Sequence, residues 1–165
     1  MQATIRTLIE ICVFRAGPQE LPYSAHLLGV CLALSAVLSF LGAQQLRPGD
    51  PIALEVAVVT GFTAAFVYGL LSIQRLQSRF MQTATAVFGS NVVLALPVFV
   101  LSMPVAEHGP EDAGAALLGL LALVIWHVGI LGHIFRHALS SSLGLGVLIA
   151  IVYYLLSTQL SHLVG

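Results

Sequence analysis

Long apolar runs recur along the chain, and they limit what it can fold into. Five runs are nearly free of charged side chains, and each is long enough to cross the roughly 30 Å hydrocarbon layer of a bilayer. Backbone groups in hydrocarbon must hydrogen-bond within their own segment, so each run is predicted to be an α-helix. The predicted spans are residues 24–46, 52–73, 80–103, 113–135 and 139–160.

The composition excludes a water-soluble domain. Hydrophobic residues make up 58% of the 165 residues and charged residues 8%, whereas soluble domains carry about 25% charged residues. The net charge of −1 leaves no basic surface for nucleic acid. The absence of lysine excludes a Walker-type phosphate loop and Schiff-base chemistry. The expected partners are the lipid bilayer and other membrane proteins.

The positions of the arginines predict the orientation of the bundle. Cytoplasmic loops of membrane proteins carry an excess of basic residues. With the N-terminus in the cytoplasm, Arg47 faces outward, and the other arginines lie on the cytoplasmic side: Arg6, Arg15, Arg75, Arg79 and Arg136. Five spans then place the C-terminus on the opposite, periplasmic side.

Residues 1–23 are predicted to form a region distinct from the transmembrane bundle of residues 24–165. Apolar residues recur there at helical spacing and share one face of a helix: Ile5, Leu8, Ile9, Cys12 and Val13. Such a helix fits the surface of the cytoplasmic leaflet, and it equally fits the ends of the bundle. The expected fold class is all-α: a polytopic membrane helix bundle with five transmembrane helices, preceded by a short amphipathic interfacial helix.

A proline-containing segment, GPQELPYS, joins these two regions. The first helix is expected to end near Arg15, and Gly17 to leave it with a positive φ. Ser24 is the expected N-cap of the first span. As a rigid turn, the segment is the predicted cytoplasmic contact point for a partner, through Pro18, Glu20, Pro22 and Tyr23.

Glu55 is predicted about one turn inside the outer end of the second span. Charged groups inside a membrane are costly, and they are either paired or functional. An ion pair with Arg47 or with His162 would neutralise the carboxylate. The alternative is a protonatable site on the path of a transported ion.

Two further polar residues are predicted inside the membrane. Asn91 precedes Pro97 by six residues in the third span, and its amide is expected to hydrogen-bond a neighbouring helix. Its alternative role is in a substrate-binding kink of a small transporter or channel. His127 lies about 9 Å deeper than His133 along the fourth span, and it too is expected to bond a neighbouring helix.

Histidines at the inner half of the bundle are candidate ligands. His133 and His137 are four residues apart, so they share a helix face and could share a metal ion. His26 begins the first span at the same level, so His26 and His133 could hold a haem between two helices. The expectation is that these rings lie at the membrane boundary without a cofactor. The sequence shows no Ser-His-Asp grouping, paired carboxylates or HExxH motif, so no enzyme is expected.

Small residues on the predicted spans allow helices to approach closely. They occur as Gly29 with Ala33, Gly61 with Ala65, Gly129 with Gly132, and Gly144 with Gly146. The pattern predicts a compact bundle, and it is compatible with a homo-oligomer.

The order of elements resembles the plan of the Yip1 family. The short helix TIRTLIEICVFRAGPQELP, the segment GPQELPYS, five spans and the short tail SHLVG follow one another, and GHIFRHAL at 132–139 is similar to a segment of small bacterial relatives. The resemblance implies a non-enzymatic scaffold or accessory subunit in a bacterial inner membrane. Eukaryotic members bind Rab GTPases through a longer cytoplasmic region, and the short region here departs from that pattern.

Overall fold

Six α-helices joined by short turns make up the computed structural model, which describes residues 2–165. The helices are α1 (Gln2–Cys12), α2 (Ala25–Leu46), α3 (Ile52–Ile73), α4 (Phe80–His108), α5 (Gly114–Ala138) and α6 (Leu143–Val164). Single 3₁₀ turns lie at Pro18–Glu20 and Gln77–Arg79. The helices α2 to α6 are each long and apolar enough to cross a membrane, which confirms the prediction of an all-α, multi-pass protein with five spans.

The third predicted span ends too early. Helix α4 continues through Pro97 and Pro104 to His108, and the chain leaves it at Gly109 with φ 81°. A proline inside a helix removes one backbone hydrogen bond but does not have to end the helix in a membrane, where neighbouring helices hold it. Residues 104–108, which were predicted to lie in the loop, are therefore helical.

The boundary between the last two spans also differs from the prediction. Arg136 and His137 extend α5 to Ala138 instead of breaking it. The turn follows three residues later than predicted, and Ser142 Oγ accepts a hydrogen bond from the Leu145 amide to begin α6. An arginine and a histidine at the end of a helix are favourable because the helix dipole is negative there.

One end of the bundle is rich in arginine. The helices α2, α4 and α6 begin there and α3 and α5 end there, as expected for five antiparallel passes. Arg75, Arg79 and Arg136 lie at this end, which is called the arginine-rich end below. Arg47 follows α2 at the opposite end.

Helix α4 is the centre of the bundle. It contacts α1, α2, α3 and α5, and its residues from Thr83 to Ser90 are all buried although most are small or polar. The hydroxyls of Thr83 and Thr85 donate to the carbonyls four residues earlier in the helix. Their polar groups are therefore satisfied in the interior, and the small side chains let the neighbouring helices approach.

Glycines bring α5 and α6 into backbone contact. A Cβ at Gly146 would collide with the carbonyl oxygen of Gly132 and lie 2.9 Å from the amide nitrogen of Arg136. Gly144, two residues earlier, faces open space. The predicted close approach of helices at small residues therefore occurs between α5 and α6.

The other small-residue pairs differ from one another. Gly129 faces the ring of Phe14, at 3.4 Å from a Cβ placed on the glycine. Gly29 and Gly61 have no neighbour within 4 Å of such a Cβ, so they lie on the outside of α2 and α3. These two positions make no helix contact within this chain.

Helix α1 packs against the side of the bundle, not beneath its ends. A methyl group at Gly89 would lie 2.5 Å from Leu8 Cδ2, and Gly89 is about 14 Å along α4 from its first residue. Trp126, which contacts Cys12, is about 18 Å along α5 from its last residue. These contacts place α1 alongside α4 and α5, and they do not confirm the predicted interfacial helix.

The buried face of α1 also differs from the predicted face. Leu8, Ile11 and Cys12 are buried against α4 and α5. Ile5 and Ile9, which the spacing places beside Leu8, are 54% and 48% exposed. A helix lined with apolar residues on more than one face can turn either face to its neighbours, so periodicity alone could not select the buried one.

The α5–α6 contact predicts opposite effects for two alanine substitutions. Gly146→Ala is expected to lower stability by about 1–3 kcal/mol, because the added methyl group meets backbone atoms that cannot rotate away. Gly144→Ala, its matched control, is expected to be neutral or stabilising by up to about 1 kcal/mol, because alanine is the better helix former. Thermal unfolding of the purified variants in detergent measures both, and equal melting temperatures would contradict the contact.

Candidate functional site

The C-terminal end of α1 lies against the side of the bundle with all of its free carbonyls satisfied. Phe14 adopts φ 62°, and the amides of Phe14 and Arg15 donate to Ile11 O and Glu10 O, which closes the helix in a Schellman motif. The predicted positive φ at Gly17 is wrong, since Gly17 has φ −107° and precedes the 3₁₀ turn. The helix ends at Cys12, earlier than the predicted end near Arg15, because Phe14 takes the left-handed conformation first.

Two side chains from α5 hold the end of α1 and the loop that follows it. Trp126 Nε1 donates to Cys12 O at 2.9 Å, and His133 Nε2 lies 2.9 Å from Ala16 O. A carbonyl oxygen only accepts, so Nε2 of His133 carries the proton of this bond. The Phe14 ring packs edge-on against His133 with 5.5 Å between ring centres. Residues 13–24, called the N-terminal loop below, are thus anchored to α5.

A glutamine from α4 fixes the second half of the N-terminal loop. Gln82 Nε2 donates to Gln19 O at 3.0 Å and to Leu21 O at 2.7 Å. Glu20 accepts from the Gly17 amide at 2.8 Å, so the loop also closes on itself. One amide group thus holds the carbonyls on either side of Glu20, one within the 3₁₀ turn and one directly after it, which restricts the backbone conformation there.

The four predicted contact residues face different ways. Pro18 and the neighbouring Leu21 are buried in the bundle, whereas Pro22 and Tyr23 point outward, with Tyr23 68% exposed. Glu20 is exposed but is engaged in the bond to the Gly17 amide. Of the four predicted contact residues, only Pro22 and Tyr23 are therefore both exposed and free of hydrogen bonds within the loop.

The histidines are divided between structural and boundary positions. His133 and His137 are adjacent, with 4.6 Å between ring centres, as their spacing predicts. Nε2 of His133 is occupied by Ala16 O, so it is not free to bind a metal. His26 is exposed on α2, which packs mainly on α3 and α4, whereas His133 is on α5, which packs mainly on α4 and α6. The two histidines are therefore not on neighbouring helices that pack closely together. No group of three or more His, Cys, Asp or Glu in residues 2–165 could hold a metal ion.

Glu55 is buried in a polar cluster at the opposite end of the bundle. Arg47 Nη2 donates to Glu55 Oε2 at 2.7 Å, and Ser161 Oγ on α6 donates to Glu55 Oε1. The sequence suggested Arg47 or His162 as the ion-pair partner of Glu55, and the partner is Arg47. The cluster ties the α2–α3 turn to α6, and both carboxylate oxygens have a donor.

Asn91 and His127 differ in how well they are bonded. Asn91 Nδ2 donates to Ser35 Oγ on α2 at 3.3 Å, which is the helix-joining bond that the sequence predicts. Its Oδ1 is buried without a partner in residues 2–165, and so is Nε2 of His127. The predicted bond of His127 to a neighbouring helix is therefore absent from its Nε2.

Comparisons of the chain with protein-family models, curated proteins and solved structures found no match. The residues that hold the N-terminal loop must therefore be understood from this chain alone. Trp126 and Gln82 have no spacing signal in the sequence. Trp126 is the single tryptophan, and Gln82 is a polar residue near the start of a span, where burial requires a partner.

The anchors of the N-terminal loop predict how exposed Cys12 is to alkylation. Burial raises the pKa of the Cys12 thiol to about 11, so at pH 8 it reacts slowly with N-ethylmaleimide. Replacing both anchors (Trp126→Phe with His133→Ala) removes two hydrogen bonds worth about 2 kcal/mol together, which is about a thirtyfold larger population of released helix. The rate of Cys12 alkylation, read by mass spectrometry, is expected to rise accordingly.

The matched control is His137→Ala, because its ring is one turn further along α5 and makes no hydrogen bond to the N-terminal loop in the described structure. In this variant the rate of Cys12 alkylation should stay within about twofold of the rate in the original protein. The same acceleration in control and double variant would mean that α1 is not held by these bonds.

Proposed function

We propose that this chain is a non-catalytic scaffold or accessory subunit of a larger assembly in a bacterial inner membrane. The observation that carries the proposal is the use made of its polar side chains. Trp126 binds the last carbonyl of α1, His133 and Gln82 bind carbonyls of the N-terminal loop, and Glu55 is neutralised by Arg47. These four side chains, among them the Glu55 candidate for an ion path, are thus engaged in holding the structure.

The orientation proposed for this subunit follows the arginines. The arginine-rich end is placed in the cytoplasm, with the N-terminus inside and the C-terminus on the periplasmic side. The N-terminal loop lies at this end, since it contacts Gln82 at the start of α4. The element order supports the resemblance to the Yip1 family, which is proposed as the plan of the fold and not as a source of GTPase binding.

The proposed contact with a partner is the outward part of the N-terminal loop. Pro22 and Tyr23 are exposed and directly follow Leu21, whose carbonyl is held by Gln82 together with that of Gln19. Fixing the loop in advance lowers the conformational entropy that a partner must remove on binding. Tyrosine contributes large contact area with few rotatable bonds and is common among residues that dominate binding energy. The partner is proposed to be another membrane protein with a surface on the cytoplasmic side.

The proposal predicts a position-specific cross-link. A photo-reactive amino acid in place of Tyr23 is expected to give one protein adduct of defined mass in native membranes. The matched position is Ile73 at the end of α3, which is 82% exposed at the same end of the bundle but outside the N-terminal loop. It is expected to give lipid adducts. Identical products at the two positions would contradict a dedicated contact.

A second measurement separates binding from folding. Gln82→Ala removes both bonds to the N-terminal loop and is expected to lower the cross-link yield at residue 23 about tenfold, which corresponds to about 1.4 kcal/mol. The amount of protein in the membrane should not change, because the bundle contacts of α4 do not depend on this amide. An unchanged yield would show that the conformation of the loop is irrelevant to the contact.

A further inference from the structure

A polar cavity of about 480 Å³ lies at the arginine-rich end, between the N-terminal loop, the start of α4 and the α5–α6 turn. Its polar lining includes two arginines, a histidine, an amide and two hydroxyls: Arg79, Arg136, His137, Gln82, Ser140 and Ser141. No carboxylate lines it. This set of residues is called the basic cavity below.

The charges of the basic cavity are not neutralised within the described chain. The ion pairs in residues 2–165 join Arg6 to Glu10 and Arg47 to Glu55, so neither Arg79 nor Arg136 takes part in one. Two guanidinium groups at one cavity repel each other, and the negative end of the α5 dipole, about half an elementary charge, offsets only part of their charge. The cavity therefore favours an anion.

Arg79 is positioned by the backbone that it caps. Its Nη1 donates to Ala138 O and to Ser140 Oγ, both at 2.8 Å. These bonds hold the guanidinium between α4 and the end of α5 and leave its other nitrogens free to donate. A planar guanidinium fixed in this way presents a ready pair of donors to an oxyanion.

A buried hydroxyl gives independent evidence for a ligand. Ser141 lines the basic cavity, and its Oγ is buried without a hydrogen-bond partner in residues 2–165. A buried hydroxyl left unbonded costs about 1–3 kcal/mol, so such groups normally have a partner. An anion oxygen in the cavity would accept this hydrogen bond.

A neighbouring cavity of about 570 Å³ shares Arg136 and His137 as a wall but has a different character. Arg15 also lines it, but there the carboxylate of Glu20 lies among the basic residues, and Phe14 and Val147 make part of the wall apolar. A carboxylate repels an anion, so the two cavities are not equivalent. The anion belongs on the side of Arg136 that faces Arg79.

We propose that the basic cavity binds an anionic phosphate group. Phosphate offers several oxygens to two guanidinium groups and to hydroxyls, a geometry that arginine recognises well. The cavity lies where the helices α4 and α5 meet the arginine-rich end, which is the level of lipid headgroups in the proposed orientation. Basic pockets between transmembrane helices at that level bind anionic lipid headgroups. A lipid phosphate and a soluble phosphate share this chemistry, and the experiment distinguishes them.

The test compares Arg136→Gln with Arg75→Gln in purified protein. Both changes remove one positive charge from the arginine-rich end, but Arg75 is exposed and does not line the cavity. The probes are phosphatidylglycerol, phosphatidylcholine and inorganic phosphate, with binding read by native mass spectrometry and melting temperature. Phosphatidylglycerol is expected to bind, to be weakened about tenfold by Arg136→Gln, and to be unaffected by Arg75→Gln.

Each outcome decides the proposal. Stabilisation by inorganic phosphate that Arg136→Gln abolishes supports the site with a soluble ligand, and preference for phosphatidylglycerol supports a lipid. Equal weakening by both arginine variants, or equal binding of phosphatidylcholine and phosphatidylglycerol with no response to phosphate, overturns it. If Arg136→Gln does not fold, Ser141→Ala decides: binding about threefold weaker or more supports the site, and unchanged binding overturns it.

Discussion

The structure depends on one constraint: the end of α1 lies against the side of the bundle, where its backbone carbonyls need donors. Turn amides within the N-terminal loop satisfy Ile9, Glu10 and Ile11, and Trp126 Nε1 satisfies Cys12. Without these bonds, burial of Leu8 and Ile11 against α4 would leave polar groups unpaired in an apolar environment, which costs several kcal/mol. The conformation of the loop, the position of Pro18 and the outward direction of Tyr23 all follow from this anchoring.

The same turn closes three helices at or near the arginine-rich end. The φ angles are 62° at Phe14, 59° at Arg75 and 52° at Ser140. At each site the amides of that residue and of the next one donate the two hydrogen bonds of a Schellman motif. None of these residues is glycine, although glycine is the usual residue at this position. The two Schellman hydrogen bonds hold the left-handed conformation at each site, and at Phe14 the contact of its ring with His133 adds to them.

The sequence predicts the membrane-spanning part of the fold because hydrophobic length determines it. The predicted limits of α2 and α3 match the structure within a residue. The charged residues and prolines between the predicted spans also end the helices in the structure. The start of α5 also matches, but the boundary between α5 and α6 does not, because Arg136 and His137 are compatible with a helix end as well as with a loop. Depth and charge predicted an ion pair of Glu55 with Arg47 or His162, and the structure has the pair with Arg47.

The position of α1 and the basic cavity could not be predicted in the same way. Apolar residues on two faces of α1 left its buried face undetermined, and the anchors Trp126 and Gln82 are more than 60 residues from the backbone groups that they bind. Arg79, Arg136 and Ser141 form one cavity through the contact of α4 with the α5–α6 turn. Contacts between distant segments of this kind depend on tertiary packing, and no local pattern encodes them.

The burial of α1 against α4 can be measured directly by cross-linking in membranes. Cysteines at residues 8 and 89, with Cys12 and Cys31 replaced by serine, are expected to form a disulfide on mild oxidation, because Leu8 packs on Gly89. Cysteines at residues 9 and 89 are the control, because Ile9 faces away from the bundle at 48% exposure. A cross-link for 8 with 89 and none for 9 with 89 is the predicted result. No cross-link for either pair, in folded protein, would contradict the position of α1.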